Sequence, residues 1–381
     1  MPVTVGVLRS PDPHERRVPI VPDVARKLSQ LGASVVMQRG ATDGAYMPAA
    51  DYQDVQWVEH QTDVLRACDV LWTVGPPEDA ALRAMRPGQV MIGLLQPYGS
   101  AQRVQLLREA RLTTFALELL PRVSRAQSMD VLTSQGAAAG YQCVLIAAHL
   151  APKFFPMLTY AAGTIRPARV LVIGAGVAGL QAIATARRLG ALVEAYDVRP
   201  ETREQVESLG AKFVDTGVRA TGAGGYAREL TDDEKHRQAV KLAQAVAQAD
   251  VLITTAAVPG RRAPRIITAD MIAAMKPGAV VVDMAAESGG NVEGTVAGQE
   301  VTVGPARLVG PLNLPSRMPV HASEMLSRNL LNFTQPMLHG GELHIDWHDD
   351  VVRGTAFTHA GEVTHEVVRQ ALGLDARAPS A

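Results

Sequence analysis

Two cysteines, 4% aromatic residues and a net charge of -1 over 381 residues leave several functions without support. Cys68 and Cys143 lie in apolar stretches and show no ligand spacing, which reads as two reduced, buried thiols of a cytosolic protein. Lys and Arg number 37 against 38 Asp and Glu, so no basic face is forced and a nucleic-acid partner has no support. No run reaches the roughly 18 consecutive apolar residues of a membrane span. The best candidate, 131–152, carries Thr133, Gln135, Gln142 and His149, so no direct membrane insertion is expected. The opening "MPVTVGVLRS" reads as a first strand and not as a signal peptide. The histidines of "HGGELHIDWHDD" lie around a Gly340–Gly341 turn and an alternating strand, a poor frame for a shared metal, and no metal site is expected.

What is present is alternation. Strand-length apolar runs ("VTVGVL", "ASVVMQ", "CDVLWTV", "GQVMIGLL", "LTTFALEL") are separated by helical patterns ("PDVARKLSQLG", "TDVLRA", "EDAALRAM", "SAQRVQLLREA"). The order repeats after residue 168, with "RVLVIG", "ALVEAYDV", "AKFVD", "DVLITTA", "GAVVVDMA" and "RLVG" as strands. Alternating β and α predicts parallel sheets covered on both faces. The expectation is therefore an α/β chain of two doubly wound, Rossmann-like domains with mostly parallel sheets, joined by two long helices. The first domain takes 1–126 and, discontinuously, 340–381. The linking helices take 127–150 and 320–339, and the second domain takes 151–319.

"RVLVIGAGVAGLQA" sets Gly174, Gly176 and Gly179 in G-x-G-x-x-G spacing, after an apolar strand and at a helix start that includes Val177 and Ala178. The spacing alone is weak; the flanking strand and helix, and Asp197 some 20 residues on at the end of the next strand, make it a dinucleotide site. Gly174 permits the tight turn, Gly176 a close backbone approach to a pyrophosphate, and Gly179 close helix–strand packing, while the first helical N–H groups face the phosphates. Asp197 should accept hydrogen bonds from the adenosine ribose, which favours NAD(H) over NADP(H). Arg199, next to Val198 and two residues beyond Asp197, pulls the other way, because a guanidinium can hold a 2′-phosphate.

Two polar stretches need a reason. Arg122 to Asp130, "RVSRAQSMD", packs guanidiniums, hydroxyls, an amide and a carboxylate where a buried strand ends. They are either a ligand-positioning set or the start of the following helix. "DTGVRATGAGGYARELTDDEK" is a Gly-rich loop with one aromatic, Tyr226, and reads as a functional loop or a tolerated insertion.

These stretches, with "VLITTAAVPGRRAP" and "DMAAESGGN", resemble the NAD(H)-binding domain of proton-translocating NAD(P) transhydrogenase, and more narrowly the separately encoded first part of its alpha subunit. The resemblance covers nearly the whole chain. It implies that Arg122, Gln127 and Asp130 act on the nicotinamide end of NAD(H), with Val123, Ser124, and Thr133 or Ser134 beside them. It implies further cofactor contacts at Val177, Ala178, Val198, Arg199, Ala256 and Ala257, and a mobile loop that brings Gly225 and Tyr226 over the nucleotide. It also implies a homodimer, a membrane-embedded partner that conducts protons, and an NADP(H)-binding domain on a partner subunit. The chain is then expected in the cytoplasm, peripheral at the inner face of the cell membrane through those partners.

Alanine dehydrogenase is the fold relative. Arg17 in "HERRVPIVP" resembles that family's substrate arginine, but Gly75 stands where its catalytic Lys falls, Gln96 where its catalytic His falls, and Glu287 where its nicotinamide-side Asp falls. Hydride transfer between two nicotinamide rings changes no heteroatom protonation and needs no general acid or base. A soluble amino-acid dehydrogenase of the alanine dehydrogenase type and a non-enzymatic NAD-binding adaptor are the alternatives.

Overall fold

Alternate residues of the apolar strands feed separate cores, as a sheet buried on both faces requires. In the strand Arg169–Ile173, Val170 and Val172 join one buried cluster, and Leu171 and Ile173 another. In Val70–Thr73, Val70 and Trp72 face one core while Leu71 faces the opposite one. The computed structural model describes residues 2–220, 228–258 and 260–374, so Gly225 and Tyr226 lie outside the described residues.

The chain divides into two units, Met1–Gln135 with Pro315–Ala381, and Gly136–Leu314. The first is built on an eight-stranded sheet in the order Glu362–Val363, Ala356–His359, Thr113–Ala116, Val90–Gly93, Val70–Thr73, Thr4–Val7, Ser34–Gln38, Val55–Val58. Its pairings are parallel except at the Ala356–His359 edge, where the returning tail runs antiparallel to Thr113–Ala116 and to Glu362–Val363. The second carries seven strands in the order Lys212–Phe213, Leu192–Tyr196, Arg169–Ile173, Val251–Thr254, Ala279–Asp283, Ala306–Val309, Glu300–Val303. Only the last pairing is antiparallel. The fold is α/β, with two doubly wound, mostly parallel sheets. In the second, the chain starts at Arg169–Ile173, winds outward on one side, then crosses to Val251–Thr254 on the other. The gap between those two strands is the topological switch point, where open α/β sheets bind ligands.

The two long helices have sharper limits than their sequence pattern. Ser124–Met129 forms a 3-10 segment, and the first long helix is Val131–Leu150. The Asp130 carboxylate sets that start, accepting from the Thr133 N–H at 2.9 Å and the Thr133 hydroxyl at 2.6 Å. The second is Pro319–Thr334 and gives way to a 3-10 turn at Gln335–Met337, because Pro336 has no N–H to continue the ladder. Gly136 and Gly140 lie on the first long helix, and a side chain at Gly140 would overlap the Ala178 carbonyl. The helix backbones therefore approach closely there. Among the described residues no helix is long and apolar enough to cross a membrane, and no group of three His, Cys, Asp or Glu is placed to hold a metal. The His339–His344 region is a short hairpin, Leu338–His339 against Glu342–Leu343, turned by Gly340 and Gly341 at φ 59 and 83°.

Candidate functional site

The switch point of the second unit is lined by the loops that follow its two central strands. Gly174 ends Arg169–Ile173 at φ +94°, a conformation that suits only glycine. A side chain there would press on the Thr255 hydroxyl and the Ala256 amide. Gly179 sits one turn into the helix Val177–Arg188, where an added Cβ would overlap the Gly174 carbonyl. At Gly176 an added Cβ would meet only the Arg199 guanidinium, at 3.9 Å. The front of Gly176 is thus open, and no side chain caps the helix it begins. First-turn N–H groups have no intrahelical partner and carry the positive end of the helix dipole, so they suit a pyrophosphate. Val177, 42% exposed, presents an apolar surface at this helix start, next to the buried Ala178.

Asp197 ends the neighbouring strand and is 8% exposed. Its Oδ2 accepts from the Ala175 N–H at 2.8 Å, so the carboxylate braces the glycine loop. Arg199 closes on it with a fork, Nε to Oδ1 at 2.9 Å and Nη2 to Oδ2 at 2.7 Å, and donates its backbone N–H to Oδ1 at 2.9 Å. The two residues with opposite consequences for a 2′-phosphate are therefore paired. A pocket of about 220 Å³ lies alongside, lined by Tyr196, Asp197, Val198, Arg203, Phe213 and Arg219 among others. Arg203 lies 4.7 Å over the Phe213 ring and pairs with Asp215. The Gly217 N–H and then Arg203 hold the Asp215 carboxyl below its ordinary range. Burial, foremost, keeps the Tyr196 hydroxyl protonated, and that oxygen accepts from Gln238 Nε2 at 2.8 Å.

The loop after Val251–Thr254 carries Ala256 and Ala257, half-buried and exposed respectively. Thr255 ties this loop to the glycine turn by donating to the Gly174 carbonyl at 3.0 Å. Thr254 donates to Asp283 Oδ1 at 3.0 Å, which fixes the next strand end. Sequence reasoning misses Thr255. The available signal is a hydroxyl placed directly after a strand with no apolar face left to cover.

In the first unit, Arg122, Val123, Ser124, Gln127 and Thr133 are exposed, and Asp130 is half-buried. The 3-10 segment is held from behind: Asn329 and Asn332 donate to the Ser128 carbonyl at 2.8 and 3.0 Å, and Ser134 donates to Asn329 Oδ1 at 2.7 Å. Asp130 therefore does cap the long helix, and Ser134 faces inward while Thr133 faces outward. Arg125 is drawn away to Asp349 and Asp350. Arg17 is buried and fully engaged. Glu15 takes its Nε at 2.8 Å and Nη2 at 2.6 Å, and Gln135 Oε1 takes its Nη1 at 2.8 Å. Ser316 also donates to Glu15 at 3.2 Å. An added side chain at Gly75 would meet nothing within 4 Å, and Gln96 is exposed at φ +51°. Glu287 is exposed and accepts the Asn313 N–H at 3.1 Å.

Residues 6–139 match the N-terminal domain model described as "Alanine dehydrogenase/PNT", and residues 143–366 the C-terminal one. The chain is 40% identical over 374 residues to the first part of NAD(P) transhydrogenase subunit alpha of Rhodospirillum rubrum, spanning 95% of this chain and 97% of that one. It is 26% identical over 386 residues to alanine dehydrogenase of Mycobacterium tuberculosis, spanning 99% and 98%. A solved transhydrogenase from Sinorhizobium meliloti superposes with a TM-score of 0.84 at 42% identity, over 96% of this chain and 99% of that one. An L-alanine dehydrogenase structure gives 0.82 at 25% identity, over 97% and 99%.

Proposed function

Since the chain belongs to the alanine dehydrogenase/PNT family, we propose that it is the NAD(H)-binding component of a proton-translocating NAD(P) transhydrogenase. In this reading hydride passes directly from NADH to NADP+ held on a partner subunit, and proton movement across a membrane is coupled to it in the full complex. The observation that carries the choice against the dehydrogenase branch is Arg17. Its guanidinium gives Nε and Nη2 to Glu15 and one Nη1 donor to Gln135, so the side-on Nε–Nη2 face that suits a substrate carboxylate is already taken by a carboxylate of this chain. Gly75 and Gln96 offer neither a Lys nor a His to move a proton. The open face of Gly176, the uncapped helix and Asp197 fit the pyrophosphate and ribose of NAD(H). When bound, the nicotinamide supplies the hydride-carrying C4.

Arg122, Gln127 and Asp130 are assigned to orient the nicotinamide end, with Val123, Ser124 and Thr133 beside them. The partners are a membrane-embedded subunit and an NADP(H)-binding domain, which place this chain at the cytoplasmic membrane face. The relatives' names, which speak of a subunit alpha and of a first part of it, support further subunits. A homodimer is favoured by the hairpin Leu158–Tyr160 and Gly163–Ile165, whose neighbourhood exposes Phe154, Met157, Tyr160 and Ile165.

The test is a pair of assays on the purified chain. With pyruvate, ammonia and NADH no oxidation above background is expected. With an added NADP(H)-binding partner, transfer from NADH to an NADP analogue is expected. Robust turnover of any keto or amino acid refutes the reading.

A further inference from the structure

We propose that Asn291 is a positioning residue for the dinucleotide, locking from behind the loop that follows Val251–Thr254; this rests on NAD(H) binding at the glycine turn. Asn291 is fully buried. Its Oδ1 accepts the Ala256 N–H at 3.1 Å, and its Nδ2 donates to the Ala256 carbonyl at 2.8 Å and to the Pro264 carbonyl at 2.8 Å. The orientation of the amide is fixed by its partners, since a flipped group would set an oxygen against two carbonyls. No other side chain of this size offers one acceptor and two donors in a plane.

Both polar groups of Ala256 are thereby turned inward. The peptide cannot rotate, and the exposed Ala257 is carried at a set position on the lip of the switch point. On the other side of Ala256, Thr255 bonds the Gly174 carbonyl at 3.0 Å. The two loops that flank the switch point are thus joined, and Asn291 holds the far one.

Asn291 itself is held in place by what surrounds it. Its backbone carbonyl accepts from Ile266 and Ile267 at 2.9 and 3.0 Å. Gly289 and Gly290 precede it at φ 103 and 74°, and a side chain at Gly290 would meet Asp283 Oδ2 at 2.7 Å. That same oxygen accepts the Val292 N–H at 3.1 Å. The "SGGN" run is therefore a backbone arm that delivers one amide to Ala256.

A dinucleotide at a switch point leans its AMP half on the glycine turn and Asp197 and carries its other half across to the loop beyond. The lock acts on that second half. The experiment titrates NADH and 5′-AMP into the full chain by calorimetry, for wild type, Asn291→Ala and Asn291→Asp. The aspartate keeps the acceptor for Ala256 and loses both donors. NADH is expected to weaken by at least about tenfold in both variants, the scale of a broken buried hydrogen-bond set, while 5′-AMP changes by less than about threefold. Parallel weakening of the two ligands, or no weakening, overturns the proposal. So does failure of both variants to fold, which would make Asn291 a residue of folding alone. If wild type binds neither ligand, the nucleotide reading itself falls, and the two failures are told apart.

Discussion

Replacing Asp197 with alanine separates the bracing role that the structure shows from the proposed role in choosing the nucleotide. Asp197 Oδ2 braces the glycine turn through the Ala175 N–H, and both oxygens hold the Arg199 fork. If the carboxylate also receives the adenosine ribose hydroxyls, its loss strips NADH of those bonds and leaves partly buried donors unsatisfied. That costs about 1–3 kcal/mol, or roughly 5- to 150-fold in NADH affinity at 1.4 kcal/mol per decade. NADPH should respond differently. The wild-type carboxylate repels a 2′-phosphate and also occupies Arg199, whose side chain is 18% exposed. Without Asp197 the guanidinium can take a phosphate bidentately. NADPH affinity should therefore hold or rise, and the NADH-to-NADPH ratio should fall by at least about fivefold, since the two fold-changes multiply in the ratio.

Fluorescence titration of each nucleotide at low and high salt gives the ratio. The NADPH bound by the variant should weaken more with salt than the NADH bound by wild type, because it adds a phosphate–guanidinium charge pair that solvent ions partly screen. Asp197→Asn keeps an oxygen acceptor without the charge and should fall between the two. Equal losses for NADH and NADPH refute the reasoning. They would mean that Asp197 serves the glycine turn through Ala175 and has no part in choosing the nucleotide.

In the reconstituted complex, Gln127→Asn or Arg122→Ala should lower single-turnover transfer between NADH and an NADP analogue by about 10²-fold, the effect of displacing a reacting group by about 1 Å. NADH affinity should change only a few-fold; loss of binding and rate in parallel makes the segment an ordinary binding surface, and no loss of either leaves it as the start of a helix. Asp349→Asn keeps the cap on the Val351 and Val352 N–H groups but removes the Arg125–Asp349 ion pair, leaving Asp350 as Arg125's carboxylate partner. The Arg125 hydrogen bond, first, draws the Asp349 carboxyl down to about 2 from its ordinary 3.8. A lowered folded value stabilises above the unfolded one and is lost as pH falls through about 2. The variant's deficit in urea midpoint should be full at pH 7 and shrink between pH 4 and 2, and it should stay below about 1 kcal/mol because the pair is exposed; a deficit that grows with acid excludes this pair as its cause.

The fold is legible because burial on both faces writes continuous apolar runs. "RVLVIG" and "GAVVVDMA" become central strands at Arg169–Ile173 and Ala279–Asp283. Most edges are not legible, although "AKFVD" does announce the edge strand Lys212–Phe213. Glu300–Val303, with its half-exposed alternation, and the two-residue Glu362–Val363 carry too little apolar length to announce themselves. In sequence, the polar stretch up to Asp130 runs without a break into the helix expected over 127–150. The structure splits it into a 3-10 segment and a helix at Asp130, a distinction that depends on which carboxylate meets which N–H. The glycine roles are legible from spacing, since a missing Cβ is visible in sequence. The pairing of Arg199 with Asp197 is not, because it depends on the turn after the strand that brings the Arg199 N–H and guanidinium back onto one carboxylate.

Arg17 shows how a motif can persist in sequence while the fold itself satisfies its guanidinium. A buried guanidinium deprived of an external carboxylate needs another partner, because an unpaired buried charge costs several kcal/mol. Glu15 supplies that partner two residues away, and Gln135 takes the remaining direction. The arginine is then satisfied by the fold itself. Taken alone, "HERRVPIVP" keeps the letters of a substrate site. In the structure the same letters form a buried ion pair of Arg17 with Glu15, and Gly75 and Gln96 hold no Lys or His. A reaction that passes hydride between two rings has no use for the proton such a site would have moved.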